Sequence, residues 1–329
     1  MHSEISTNHK RTIRVAAAQM VSENGRVTVN LNRATSLIEH AKQQSAQLVL
    51  LPEFMSTGYF LGENIWDAAE PSVGPTITWL KQNSRRLGIW LGTSFLEADG
   101  DDFYNTFVLT DPLGEVAGRI RKQTPGAWET YFFRGESSTH FIDTSLGKVG
   151  ISICFDSQTA DVAAILSEQS VDLVLMPHSY PMPATSSRMF SKERIVSYFQ
   201  MITSLYATLL GVPIVLTNKC GLWESPIPGP QLVKQTGGSF PGLSNIVDSD
   251  GTVKAILGDE EGVIVVNVTI DPARKRQPVI PRYGRYIYPG PPQRAIIRLI
   301  ESMGRISYGL SSKRKSKASA ISLVDKSPR

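Results

Sequence analysis

The chain has 329 residues, 41% of them hydrophobic and 19% charged, a composition that excludes a low-complexity chain and provides for a sizeable core in one large domain or two smaller ones. Formal net charge is +4, but residues 272–329 hold 14 Lys/Arg against 2 Asp/Glu while residues 1–271 hold 20 against 28. The basic balance therefore belongs to the C-terminal end, and the acidic body excludes nucleic acid as a partner of the whole protein.

Two cysteines in so long a chain make no disulfide framework, so a reducing, cytoplasmic setting is expected. Residues 1–12 have no apolar core of a signal peptide and read as a short flexible arm. The longest apolar stretch, residues 204–217, is interrupted by Tyr206, Thr208, Gly211 and Pro213 and is too short to span a bilayer. No His/Cys cluster has zinc spacing, and Gly237-Gly238 precede no phosphate-loop Lys.

The first expected strand is 14–20. Leu31, Ala34, Ile38 and Ala41 then fall on one face of a helix. Residues 47–51 form a second strand. Residues 103–110 and 115–122 read as a hairpin across Asp-Pro-Leu-Gly. Residues 149–154 and 171–176 are strands, separated by a helix carrying Val162, Ile165 and Leu166. Ile195, Phe199, Ile202, Tyr206 and Leu209 mark a longer helix before the strand 212–217. Residues 244–248, 253–257 and 263–270 read as antiparallel ribbons. The strings LVLL, LVLM and PIVL suit strands covered on both faces. Strands alternating with helices define an α/β fold, and no solenoid-type repeat is present.

The body, residues 13–271, closes near Asp271-Pro272. In the extension 272–310, a helix over 294–306 sets Ile296, Ile297, Ile300 and Met303 against Arg298, Glu301 and Arg305. That helix is expected to dock on a partner subunit, or to lie on a membrane surface. The Ser/Lys/Arg-rich residues 311–329, with KRKSK at 313–317, are expected to form a disordered, solvated tail.

Three strands end in chemically active residues: 47–51 runs into Pro52-Glu53, 115–120 into Arg121-Lys122, and 149–153 into Cys154. Open α/β sheets carry their sites at the carboxyl ends of strands. A thiol near its free pKa of ~8.5 needs a base or a cationic neighbour to attack a carbonyl. A carboxylate can take its proton and return it to a leaving amine, and an ammonium can stabilise the oxyanion, with the Phe155 backbone N–H as a second donor. Cys220 has no such setting and reads as structural. His178 reads as pocket-lining or structural rather than as the base.

LPEF (51–54), RK (121–122) and GISICFD (150–156) resemble the three signatures of the nitrilase, or carbon–nitrogen hydrolase, superfamily. WETYFF (128–133) resembles the segment that carries the family's second active-site glutamate, and residues 240–271 resemble its closing strands. Asn218, in TNKCG, falls where the family has an Asn–Arg-like turn. The resemblance runs from about Arg14 to Asp271. It implies a four-layer αββα sandwich and a Glu53–Lys122–Cys154 triad, with Glu129 orienting substrate and Lys122. It implies no metal and no organic cofactor, and assembly as a homodimer or larger homo-oligomer.

The chain departs from the family in its short QTPGAW link between Lys122 and Glu129, and in FDSQTAD, where Phe-Pro-Glu often follows the cysteine. Asp156 two places after Cys154 points to amides, since nitrilases carry Trp-Glu after the cysteine. The expected activity is hydrolysis of a small amide or N-carbamoyl compound through a thioester. Nitrile hydrolysis and acyl transfer to an amine are the rivals within chemistry, and a catalytically silent scaffold is the rival outside it. Tyr59, Phe155, His178, Ser179 and Tyr180 are the expected substrate-binding residues, with pocket shape set by Tyr59 and the loops 123–128 and 178–188.

Overall fold

The computed structural model describes residues 9–183, 192–226, 237–290 and 294–323. Residues 1–8 of the expected arm, 184–188 of the second pocket loop and the end of the tail lie outside the described residues. The first half of the chain comprises β1 (Arg11–Gln19), α1 (Val27–Gln43), β2 (Leu48–Leu50), α2 (Pro75–Leu87), β3 (Trp90–Asp99), β4 (Asp102–Thr110) and β5 (Val116–Arg121). The second comprises β6 (Phe141–Thr144), β7 (Gly147–Ile151), α3 (Ala160–Glu168), β8 (Leu173–Pro177), β9 (Met182–Pro183), α4 (Lys192–Leu210), β10 (Ile214–Thr217), β11 (Cys220–Trp223), β12 (Gly238–Pro241), β13 (Asn245–Val247) and β14 (Val253–Ile256). β15 (Gly262–Ile270), α5 (Arg294–Leu310) and α6 (Ser312–Leu323) follow.

One sheet has the order β15-β1-β2-β3-β4-β5, the other β14-β13-β10-β8-β7-β6, and β11, β12 and β9 form a small third sheet. The two large sheets share one plan. Three parallel strands lie in the middle of each (β1-β2-β3 and β7-β8-β10). One antiparallel strand flanks them on one side and two on the other.

Side-chain alternation builds the layers. Val15, Ala17, Leu48 and Leu50 face Val149, Ile151, Leu173, Leu175 and Val215 between the sheets. The residues between them in sequence, Ala16, Ala18, Val49 and Leu51, pack instead on α1 and α2 through Leu31, Ile38 and Leu80. Val174, Met176, Ile214 and Leu216 likewise pack on α3 and α4 through Val162, Leu166, Phe199 and Ile202. A strand apolar on both faces is what LVLL and LVLM encode, and the result is the αββα sandwich.

The C-terminal end departs from expectation. Residues 312–323 form α6 rather than a disordered tail, with Arg314, Ala318 and Ser322 buried. Ala318 joins the cluster of Trp66 and Phe103. The basic charges find acidic partners on the body: Arg314 pairs with Asp102 at 2.6 Å, Lys313 with Glu63 at 2.7 Å, and Lys317 with Asp67. The charge asymmetry of the sequence is thus a complementarity between the tail and its own body. α5 also docks on its own chain, through Glu301, Gly304 and Tyr308, and leaves Ile296, Leu299, Met303 and Ile306 exposed.

Deleting residues 311–329 should therefore lower the melting temperature, by about 2–4 °C for each kcal/mol of packing lost. Calorimetry of the truncated chain checks this. An unchanged transition would mean that the packing of Ala318 and Arg314 contributes nothing.

Candidate active site

Glu53 lies three residues beyond β2 and is fully buried. Its backbone is held by the loop after β8: Ser179 Oγ donates to its carbonyl at 2.6 Å, and its N–H donates to the His178 carbonyl at 3.3 Å. Oε1 accepts from Asn105 Nδ2 at 2.7 Å and from Lys122 Nζ at 2.8 Å. Oε2 is buried with no hydrogen-bond partner.

Lys122 follows β5, and its N–H donates to the Asn105 carbonyl at 2.8 Å. Its Nζ reaches Glu129 as well, at 3.0 Å to Oε1 and 2.8 Å to Oε2. Burial disfavours the ammonium, but Glu129 and Glu53 outweigh it and hold the pKa of Lys122 well above that of an ordinary lysine. Glu129 sits on a 3-10 turn, Ala127–Tyr131. Its Oε2 accepts the Gly126 N–H at 2.6 Å, and burial lifts it to about 7 against the pull of Lys122.

Cys154 begins a 3-10 turn, Cys154–Gln158, after β7. Its φ is +48°, a left-handed conformation that costs a residue with a Cβ and recurs at active sites. Its sulfur receives the Ser179 N–H and feels the charges of Glu53, Lys122 and Glu129. Burial, then the charge of Glu53, raise the thiol well above its usual range, so the resting group is a protonated thiol. The carboxylate, ammonium and sulfur brought by three separate strands thus converge.

Asp156 ties this turn to the Lys122 loop. It is buried and accepts the Gln123 and Thr124 N–H groups at 3.1 and 2.8 Å. Burial lifts it to about 7. The short link to Glu129 is thereby anchored at its start by Asp156 and at its end by Gly126, whose bare Cα accommodates the Phe155 ring; a Cβ there would stand 3.0 Å from it.

The expected substrate-binding residues divide into two groups. Tyr59 is hydrogen-bonded to Glu129, and burial followed by the charges of Glu129 and Glu53 holds its hydroxyl well above the usual range. Tyr180 lies near Cys154, with burial pushing its hydroxyl up to about 12. Ser179 contributes both its hydroxyl and its N–H, as above. His178, in contrast, is locked in the scaffold. Nδ1 lies 3.1 Å from the Met176 carbonyl and Nε2 3.4 Å from Ser157 Oγ, and burial lowers it to about 4, which leaves it neutral at pH 7. The Phe155 ring packs beneath Arg285, 5.0 Å from the guanidinium carbon.

Asn218 holds the 178–180 loop, accepting the Tyr180 N–H at 2.9 Å. Beside it, the buried Lys219 donates to the Phe54 carbonyl at 2.8 Å. Sequence reasoning missed Asn105, the role of Asp156, and Tyr198, whose hydroxyl lies 3.2 Å from Ser157 Oγ and whose ring stacks on Tyr180. Asn105 and Tyr198 sit within ordinary strand and helix patterns, where nothing marks a side chain as facing a site. Asp156, inside GISICFD, was within reach, because a carboxylate two residues past a buried strand needs donors.

Among the described residues no group of three or more His, Cys, Asp or Glu is placed to hold a metal, and no helix is long and apolar enough to cross a membrane. Both cysteines are free.

The profile of the carbon–nitrogen hydrolase family matches residues 14–277. The chain belongs to that family. It is 25% identical over 281 residues to the N-carbamoylputrescine amidase of Solanum lycopersicum, covering 81% of this chain and 89% of that one. It is 33% identical over 175 residues to a nitrilase of Pyrococcus abyssi, covering 52% of this chain and 66% of that one. Among solved structures, a carbon–nitrogen hydrolase from Helicobacter pylori superposes with a TM-score of 0.67 at 20% identity, covering 78% of this chain and 89% of that one. An amidase from Nesterenkonia superposes at 0.65 and 23% identity, covering 80% and 93%. The fold is that of the nitrilase superfamily, and the protein is an enzyme of carbon–nitrogen bond hydrolysis.

Activity should fall as pH drops through about 7, where Glu129 takes a proton and releases its hold on Lys122. A carboxyl with a raised pKa is ionised only above that value, so the loss lies on the acid side. His178→Gln should leave this limb in place while lowering stability by about 1–2 kcal/mol through its broken hydrogen bonds. A pH–rate profile of both proteins checks this, and a limb that moves in the variant would make His178 the titrating group.

Proposed function

We propose that the protein hydrolyses a small amide or N-carbamoyl compound through a thioester on Cys154. The observation that carries this reading is the free Oε2 of Glu53. Every other carboxylate oxygen of Glu53 and Glu129 has a donor, and this one is buried without a partner in the cluster that surrounds the Cys154 thiol.

A base that must take a proton and hand it on needs an acceptor oxygen of this kind. Substrate attack would proceed as the Cys154 Sγ–C bond forms and the thiol proton passes to Glu53. The tetrahedral oxyanion would be met by Lys122, whose contact to Glu129 Oε1 is the longer of the pair and the one to re-aim, and by the Phe155 N–H. Collapse breaks the C–N bond, and Glu53 gives its proton to the departing ammonia or amine. A water, deprotonated by Glu53, then attacks the thioester. The C–S bond breaks, and the thiol recovers the proton.

The substrate class is supported by the amidase relatives, with N-carbamoylputrescine amidases at 25% identity over most of the chain. Nitrile hydrolysis is the second reading, favoured by the 33% identity to the Pyrococcus abyssi nitrilase. The experiment is an ammonia-release screen of aliphatic amides, N-carbamoylputrescine and small nitriles, with Cys154→Ala as the blank. Cys154→Ala should abolish turnover, and Lys122→Met should lower it about 100- to 1000-fold. Full turnover by Cys154→Ala would end the thioester mechanism. Added hydroxylamine distinguishes acyl transfer, which yields a hydroxamate. Wild-type Cys154 alkylated by iodoacetamide no faster than Cys220 would favour a silent scaffold.

The assembly that fits the chain is a homodimer formed through the outward apolar face of α5, where Ile296, Leu299, Met303 and Ile306 are all more than half exposed. Two free thiols fit a reducing, cytoplasmic setting. Sedimentation of wild type and Ile306→Glu should give a dimer and a monomer; a monomeric wild type would remove this assembly.

A further inference from the structure

Residues beyond the matched family segment reach both catalytic turns. Glu301 of α5 is 1% exposed, and its carboxylate is gripped at both oxygens by Arg285, Nη1 at 2.7 Å and Nη2 at 2.7 Å. Oε1 also accepts the Ala127 N–H at 3.3 Å, at the first residue of the turn that carries Glu129. One helical turn further on, Gly304 lies against the same segment, where a Cβ would stand 2.1 Å from Thr130 Oγ1. At its other end, Arg285 lies over the Phe155 ring beside Cys154, and its carbonyl accepts the Ala160 N–H at 2.8 Å, just past the Cys154 turn.

A single ion pair, with Glu301 buried and Arg285 partly exposed, therefore touches the Glu129 turn on one side and the Cys154 turn on the other. Burying the Glu301 carboxylate carries a desolvation cost that offsets much of its attraction to Arg285. The pair reaches the Ala127 N–H on one side and the Phe155 and Tyr286 rings on the other. Ala127 holds φ +43°, a conformation that strains a residue with a Cβ and needs outside support. Beside it, the Gly126 N–H meets Glu129 Oε2.

We propose that Glu301 and Arg285 are positioning residues. They hold the Ala127–Tyr131 turn so that Glu129 meets Lys122, and they register that turn against Cys154. The proposal rests on Cys154 as nucleophile and Glu129 as the orienting carboxylate.

The test compares full-length wild type, Glu301→Gln and Ser302→Ala, the last an exposed neighbour on α5. Cys154 and Cys220 alkylation by iodoacetamide is followed by mass spectrometry, alongside the pH profile for the amide that wild type turns over fastest. In Glu301→Gln, Cys154 alkylation should slow about 10-fold, short of the roughly 100-fold that a 1 Å misplacement can cost. The rate of Cys220 should stay as in wild type. Turnover should fall through kcat rather than KM. The acid limb should move to higher pH, because the Gly126 N–H no longer favours ionised Glu129. Ser302→Ala should match wild type. A folded Glu301→Gln with wild-type Cys154 alkylation and a wild-type pH profile overturns the proposal. So does a variant in which both cysteines label faster, which reports general loosening.

Should Glu301→Gln fail to fold, Gly304→Ala, which pushes α5 off Thr130, must show the same selective slowing, and normal Cys154 behaviour there overturns the proposal equally. Failure of the nucleophile assignment looks different: Cys154→Ala would keep its turnover.

Discussion

The ammonium of Lys122, with no exposure to solvent, is the constraint around which the rest of the site is arranged. A charge in a low-dielectric interior is tolerated only when paired and hydrogen-bonded. Two carboxylates meet it, and each must itself be held. Asn105 and the 178–179 loop hold Glu53, and the Gly126 N–H holds Glu129. The same low dielectric that makes the cluster costly makes its remaining free oxygen and its thiol responsive to one another. Removing one member would leave the others uncompensated, so the group behaves as a unit rather than as separable residues.

Charge balance sets the protonation pattern. Glu53, Glu129, Asp156 and the Cys154 thiol are all acids buried around one ammonium. They cannot all ionise. Burial lifts Glu129 and Asp156 to about 7 and the thiol well above its usual range. Lys219, which donates to the Phe54 carbonyl, adds only a partial positive charge near neutral pH, since burial lowers it to about 7. A neutral thiol is the resting form this burial favours, and in the proposed mechanism the nucleophile forms only as its proton moves to Glu53.

Much of this was legible because Glu53 and Cys154 each follow a string of apolar residues. LVLL before Pro52-Glu53 and VGISI before Cys154 declare strands buried on both faces, and a polar residue at such an end has to be accommodated. The strands and helices that build the inter-sheet core were readable for the same reason. β3 was not, since WLGTSF mixes small and polar residues whose burial comes from tertiary packing, as where Phe107 fills the space over Gly92. The partnership of Asn105 with Glu53 crosses two strands and leaves no local trace. The common plan of the two large sheets is invisible in sequence, because it resides in strand direction and order.

The C-terminal helices show how composition misleads when read segment by segment. KRKSKASAISL has the polarity of a solvated tail, and its small hydrophobic content could not order it alone. What orders it is the opposite charge of the body together with a few small residues that permit close approach. Asp102 receives Arg314, Asp67 receives Lys317, and Ala318 sits against Trp66 and Phe103. α5 is amphipathic in the reverse sense to a helix docked by its apolar stripe. Its buried side is Glu301, Gly304 and Tyr308, a carboxylate, a bare Cα and a hydroxyl that receives the Phe103 N–H. A helix that meets its own domain through such groups is held by directional contacts rather than by hydrophobic area. Its placement can therefore be specific enough to matter at a turn where a small shift in Glu129 would be felt by Lys122.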